Sequence, residues 1–246
     1  MIAHIAVAAL LLTGAQSPSV TSAGLVDPAR HRDAVTLFRA GQELLAAEKF
    51  EQAVAEFSKS VERDPLLSIA HYGLGQAYMN LGRYASAAKS YKDSIEAMRR
   101  LHDLGQTNQF AVEKQRDDEI KELKEMLSRL QGSLMAVRLE QRLRDLENQR
   151  SALGAGFHPP AEALLALGSA YFRNGDREAA VANWLASLDV NPKYGEAHNN
   201  LAVIYMQTGR LTEAEQEMKL AEKNGFRVNP QFKTDLKDRQ KAAKNQ

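Results

Sequence analysis

Apolar positions recur along this chain with a helical period, and they recur in blocks. In residues 34–67 the side chains Leu37, Ala40, Gly41 and Leu44 hold the fourth, seventh, eighth and eleventh places. The same places hold His71, Leu74, Gly75 and Tyr78 in residues 68–101. They hold Leu164, Leu167, Gly168 and Tyr171 in residues 161–194, and His198, Leu201, Ala202 and Tyr205 in residues 195–228. Steps of three and four put such residues on one face of a helix. A second helix follows in each block, where Ala53, Ala87, Ala180 and Ala214 share one place and Phe57, Tyr91, Trp184 and Met218 another. The turn between the two helices falls at Gly82, Gly175 and Gly209, with Glu48 in the first block. Glycine there ends the first helix in a left-handed cap. Small residues at the eighth and twentieth places let the two helices pack closely, where larger ones would overfill the contact. Pro65 and Pro192 stop the second helix. Both belong to a set of Asx-Pro steps, Asp27-Pro28, Asp64-Pro65, Asn191-Pro192 and Asn229-Pro230.

Four blocks of equal length with large, Leu, Gly, Tyr, Ala, Phe and Pro positions in this order resemble the tetratricopeptide repeat family. The resemblance implies an all-α fold: a right-handed helical-hairpin repeat solenoid of four repeats in two pairs. One hairpin cannot bury its own apolar face, so neighbours must stack. The resemblance also implies that the first helix of each repeat lines a concave surface through its second, fifth, ninth, twelfth and thirteenth places. Read onto this chain, those places give Phe38, Gln42, Tyr72, Gln76, Met79, Phe172 and Met206 as the expected partner-binding residues. Glu162 and Glu196 fall at second places in the same lining. Members that grip a C-terminal carboxylate use Lys, Arg and Asn; Phe38, Gln42 and Gly73 stand where such residues would be wanted, so that clamp is not expected. The lining is apolar and aromatic with adaptable methionines, which suits an apolar helix or extended segment. Few charges in it predict weak salt dependence. The aromatic and methionine side chains are not needed for the helix packing already assigned, and repeat geometry puts them on one concave side; because the insertion separates the repeat pairs, the groove is either continuous or split into a pocket of Phe38, Tyr72 and Met79 and another of Phe172 and Met206.

Residues 102–160 separate them. Gly105 stands near one end, and Gly154, Gly156 and His158-Pro159-Pro160 stand at the other. Between them lies a charge-rich helical stretch whose basic and acidic residues balance. Ile120, Leu123, Leu127, Leu130, Leu134 and Val137 follow coiled-coil-like spacing. Leu139, Leu143 and Leu146 then lie on the opposite side, with Gly132-Ser133 near the switch. Either one long helix presents two faces, or the chain folds back near Gly132. Leu123, Leu127, Leu130 and Leu134 are expected to bury against the solenoid or against another chain, so self-association through the insertion is one outcome. The second repeat ends in Arg99-Arg100-Leu101 without a proline, so its second helix is expected to run on into the insertion. Residues 229–246 read as a capping helix and tail, and residues 24–101 and 161–228 as the two repeat pairs.

Residues 1–23 read as a signal peptide and linker. Residues 2–12 are apolar apart from His4, and the small residues Thr13-Gly14-Ala15 follow. The first basic side chain is Arg30, so the usual basic leader is missing. The apolar run is shorter than the roughly 20 residues that span a bilayer, so no integral membrane span is predicted. A periplasmic or secreted protein is expected, with a mature N-terminus between Gln16 and Gly24.

Composition narrows the function classes. The chain has 246 residues, no Cys, and 32 basic against 31 acidic side chains. Disulfides, thiolate metal sites and a cysteine nucleophile are excluded, and a net charge of +1 gives no electrostatic reason to expect nucleic acid. His4, His31, His71, His102, His158 and His198 lack metal-ligand spacing, and His71 and His198 hold a packing place in their repeats. No phosphate-binding glycine loop or nucleophile elbow is present. The reading is a non-catalytic protein–protein interaction adaptor, without cofactor or metal, binding a protein segment on its concave surface. The alternative is a structural subunit or assembly factor held in a larger complex by the insertion.

Overall fold

The computed structural model describes residues 26–129, 134–148 and 156–244. The leader, residues 1–23, therefore lies outside the described residues. Ten helices form among those described: α1 Pro28–Ala46, α2 Phe50–Arg63, α3 Ser68–Asn80, α4 Tyr84–Arg129, α5 Leu134–Asn148, α6 Ala161–Asn174, α7 Arg177–Val190, α8 Gly195–Gln207, α9 Leu211–Lys223 and α10 Pro230–Lys244. No strand occurs among the described residues.

The repeats form four hairpins, α1 with α2, α3 with α4, α6 with α7, and α8 with α9. Three of them depend on one close approach. A Cβ added at Gly41 would stand 2.6 Å from the Phe57 ring, one at Gly75 2.5 Å from Tyr91, and one at Gly168 2.7 Å from Trp184. The eighth-place glycine thus makes room for the twenty-fourth-place aromatic of the same repeat. Ala53, Ala87, Ala180 and Ala214 on the second helices are wholly buried. The tight turns take a left-handed residue, with φ of 71° at Gly82, 92° at Gly175, 78° at Gly209 and 57° at Glu48.

The Asx-Pro steps share one device. Proline has no N–H to give, so the Asx side chain accepts from the residue after it: Asp27 from Ala29, Asp64 from Leu66, Asn191 from Lys193 and Asn229 from Gln231. Such a turn ends one helix and aims the next. Another device recurs inside the hairpins. The hydroxyls of Ser60, Ser94 and Ser187 donate to the carbonyls of Ala34, Ser68 and Ala161 at 2.7, 2.8 and 2.8 Å, fixing the second helix to the start of the first.

Neighbouring hairpins stack without a break. α2 packs on α3, α4 on α6, and α7 on α8. Ala87, Ala88 and Tyr91 of α4 share a cluster with Leu167 and Ala170 of α6. The second repeat therefore joins the third directly, although the insertion separates them in sequence. Of the two arrangements the sequence left open, the repeats form one continuous stack.

α4 is long because nothing stops it. It runs for 46 residues, from the second repeat into the insertion. Arg99 bridges Glu96 at 2.8 Å and Asp103 at 2.7 Å across the place where a proline would have ended it. Hydrogen bonds from Arg99 and Arg100 hold the Glu96 carboxyl down to about 2. From residue 102 the helix extends about 40 Å, at about 1.5 Å per residue. α5 then returns to pack on α4, with Arg142 paired to Glu119 at 3.0 Å and Lys124 to Glu147 at 2.8 Å. Leu123 is 5% exposed and Leu146 4%, so the two opposed stripes read from the sequence serve one hairpin. Within the chain, Leu123 is buried where α5 packs on α4. Leu127 is half-buried. Leu130 and the side chain of Leu134 lie outside the described residues.

α10 packs on α9 and sends Leu236 into the cluster of the last repeats. Arg239 donates to the Met206 carbonyl at 3.2 Å, Gln240 to Glu215 at 2.7 Å, and Lys233 pairs with Glu222.

Candidate interaction surface

The first helices of the repeats, α1, α3, α6 and α8, carry the places at which a partner-binding lining is expected. Phe38 of α1 and Tyr72 of α3 hold the fifth place, and both are half-buried. Neither is spare to the packing, contrary to the expectation from sequence. The Phe38 ring lies 5.8 Å from Phe57, and Tyr72 lies 5.1 Å from Tyr91. Phe172 of α6, at the twelfth place, lies 5.6 Å from Trp184. Each has one side on the core aromatic of its own repeat and leaves only part of its ring to solvent. Met79 and Tyr72 both pack on the cluster that joins α4 to α6. Gln76 is half-buried and Gln42 exposed at the ninth place.

Met206 differs from the rest. It is 8% exposed and belongs to the same cluster as Leu236 of α10. The capping segment takes this place, so Met206 is a packing residue and not part of an open lining. The remaining six expected residues stay accessible in part or whole, on the portion of the surface built by α1, α3 and α6.

The charged part of the surface was underweighted by the sequence reading. Burial raises the Tyr72 phenol above its ordinary range, and the carboxylates of Glu162 on α6 and Glu196 on α8 raise it further. The same causes, in the same order, raise the Tyr194 phenol, to which Tyr72 adds. Desolvation raises the Glu196 carboxyl as well. Neither Glu162 nor Glu196 has a basic nitrogen within 4.0 Å among the described residues, whereas sixteen other ion pairs do form there. Tyr194 could have been noticed from its place: Leu67, Leu101 and Val228 hold the same place in the other repeats, and only Tyr194 carries a hydroxyl there.

His198 and His71 serve packing. His198 is buried, with Nδ1 2.6 Å from Glu217 and Nε2 3.1 Å from the Pro192 carbonyl. His71, at the same repeat place, reaches the Pro65 carbonyl at 3.0 Å. Among the described residues no group of three or more His, Cys, Asp and Glu is arranged to hold a metal ion. None of the described helices is long and apolar enough to cross a membrane.

A family model described as tetratricopeptide repeat matches residues 38–99 and 165–225, half of the chain. Among solved structures, PilW, described as a widely conserved type IV pilus biogenesis factor, aligns at 17% identity and a TM-score of 0.37, covering 81% of this chain and 80% of that one. TTC0263, a thermophilic TPR protein of Thermus thermophilus, aligns at 18% identity and a TM-score of 0.37, covering 84% and 98%. YrrB, described as a TPR protein with an unusual peptide-binding site, aligns at 19% identity and a TM-score of 0.29, covering 83% and 92%. No significant match was found among curated proteins.

Proposed function

The chain belongs to the tetratricopeptide repeat family, and we propose that it is a non-catalytic protein–protein interaction adaptor that holds a partner segment on the face of α1, α3 and α6. One observation carries this reading. The stack is continuous from α4 to α6, so Phe38, Tyr72, Met79 and Phe172 belong to one uninterrupted solenoid and not to two separate halves. Half-exposed rings seated on buried aromatics are rigid, and rigid aromatic anchors concentrate binding energy.

The test follows from where the side chains pack. Phe38 and Tyr72 support the core, so truncating them is expected to lower stability along with binding. Gln42 and Gln76 do not fill a core cluster. Gln42→Arg together with Gln76→Arg is expected to abolish partner capture from the native source at an unchanged melting temperature. Full capture by that variant contradicts the reading.

A second reading rests on the α4–α5 hairpin. Phe110 is 63% exposed and Val112 65%, on the stretch of α4 that belongs to the insertion arm. A structural subunit would use such an arm to lock into a larger complex, and its partner would remain bound to the Gln42→Arg, Gln76→Arg variant. Export also belongs to the proposal, supported by the apolar leader and the small residues after it. N-terminal sequencing of native protein is expected to give a first residue between Gln16 and Gly24; Met1 there contradicts export.

A further inference from the structure

His198 is set in the last repeat so that both of its ring nitrogens meet an acceptor. Its side chain is 8% exposed. Nε2 lies 3.1 Å from the Pro192 carbonyl in the turn between α7 and α8, and Nδ1 lies 2.6 Å from the Glu217 carboxyl on α9. A carbonyl oxygen only accepts, so Nε2 must carry a hydrogen. A neutral imidazole has one N–H, which that bond uses. The contact with Glu217 therefore needs a second proton, shared between Nδ1 and the carboxyl oxygen. The second repeat supplies a control. His71 holds the same place and reaches the matching Pro65 carbonyl at 3.0 Å, but Ser90 stands where the fourth repeat has Glu217. One hydrogen is enough for His71. Among the described residues Glu217 is the one carboxylate within 4.0 Å of His198. The other charged groups on the surrounding helices are exposed or occupied. Arg177, Glu178 and Asp189 of α7 and Lys223 of α9 are exposed. Glu213 pairs with Arg210, Glu215 with Lys219 and Glu222 with Lys233, and Arg239 of α10 donates to the Met206 carbonyl.

We infer that His198 and Glu217 form a proton-held joint: one shared proton ties α9 to the turn between α7 and α8, and its loss as the pH rises loosens the last repeat. When the proton leaves, a ring lone pair is turned on an acceptor oxygen, either the Pro192 carbonyl or the Glu217 carboxylate, at a site that water scarcely reaches. The unfolded chain has no such need, and its imidazole gives up its proton near the ordinary value of about 6.5. A proton that the folded pair requires adds stability that is complete below that value and is lost as the pH rises above it. α8 also carries Met206, which shares a cluster with Leu236 of α10, so the loosening reaches the capping helix. The joint goes beyond the adaptor reading and does not depend on it.

The test is amide hydrogen exchange of the full chain, resolved by helix, at about pH 6 and about pH 9. The native protein is compared with Glu217→Gln at each pH, so that intrinsic exchange rates cancel. A glutamine amide donates to Nδ1 while Nε2–H still meets the Pro192 carbonyl, which satisfies a neutral His198. Protection of α8 and α9 in the native protein, relative to Glu217→Gln, is expected to fall at least about tenfold between the two pH values. The same ratio for α1 and α2 is expected to stay constant. A nitrogen-15 spectrum of the native His198 ring at about pH 7.5 gives a reading that needs no variant, should Glu217→Gln fail to fold. An ordinary imidazole is mostly neutral there and shows one unprotonated nitrogen; His198 is expected to show none. An unprotonated His198 nitrogen at that pH, or a protection ratio in α8 and α9 that is equal at both pH values, overturns the joint.

Discussion

Glu48 holds a left-handed conformation, φ 57°, where the other three repeats place glycine. A side chain in that region costs about 1 kcal/mol. Glu48→Gly is expected to raise stability by up to about that amount, read as a higher denaturant midpoint; an unchanged or lower midpoint contradicts the turn geometry. Glu196 supplies a second residue-scale outcome. Desolvation raises its folded carboxyl pKa, so the fold disfavours the ionised form. The penalty is present above the folded pKa and disappears as pH falls below the unfolded value, about 4.3. Glu196 is exposed and sits in the first turn of α8, so water screens most of that penalty and the helix N-terminus opposes it; Glu196→Gln is expected to change the melting temperature only slightly at neutral pH and not at all below about pH 4. A gain of equal size at both pH values would assign the effect to something other than charge. The glycine and alanine places were legible in the sequence because four copies could be compared. The serine bonds were legible too, since Ser60, Ser94 and Ser187 share one place. They were missed because a serine inside a helix attracts no attention until its burial is known. Removing one of these hydroxyls, as in Ser187→Ala, should cost about 1 kcal/mol.

At the scale of the element, the hairpin contact is set by small residues under large ones. Ala87 is wholly buried in the cluster where α3, α4 and α6 meet, so Ala87→Leu is expected to destabilise by about 1–3 kcal/mol through overpacking. An unchanged midpoint would mean that the helices are not in this register. The insertion shows where periodicity stops being informative. The stripes of Leu123 and Leu146 were visible, but a helix period does not say what covers a stripe, and the sequence at Gly132-Ser133 left both a continuous helix and a fold-back open. The ion pairs Glu119–Arg142 and Lys124–Glu147 bring α5 back onto α4. Leu123→Glu with Leu146→Glu is expected to lower amide protection in α5 and in the distal part of α4, with the melting of the repeats unchanged. Loss of the main transition would show that the arm is needed by the solenoid itself.

At the scale of the whole molecule, the sequence separated the two repeat pairs and the fold joins them. Nothing in the spacing of residues 102–160 reveals that α6 returns to the same flank of α4 that the second repeat presents. That return depends on Leu167 and Ala170 fitting against Ala87, Ala88 and Tyr91. Met206 shows the opposite error. Its place in the repeat was right, but a family pattern says nothing about the segment that follows, and α10 covers it. The surface left after both corrections is the accessible side of α1, α3 and α6. The most direct test is a photo-activated cross-linking side chain placed singly at Gln42, Gln76, Phe110, Val112, Leu185 and Leu220 in the native setting. Partner cross-links concentrated at Gln42 and Gln76 are expected. Cross-links at Phe110 and Val112, with none at Gln42 and Gln76, would move the function from the repeat surface to the α4–α5 arm.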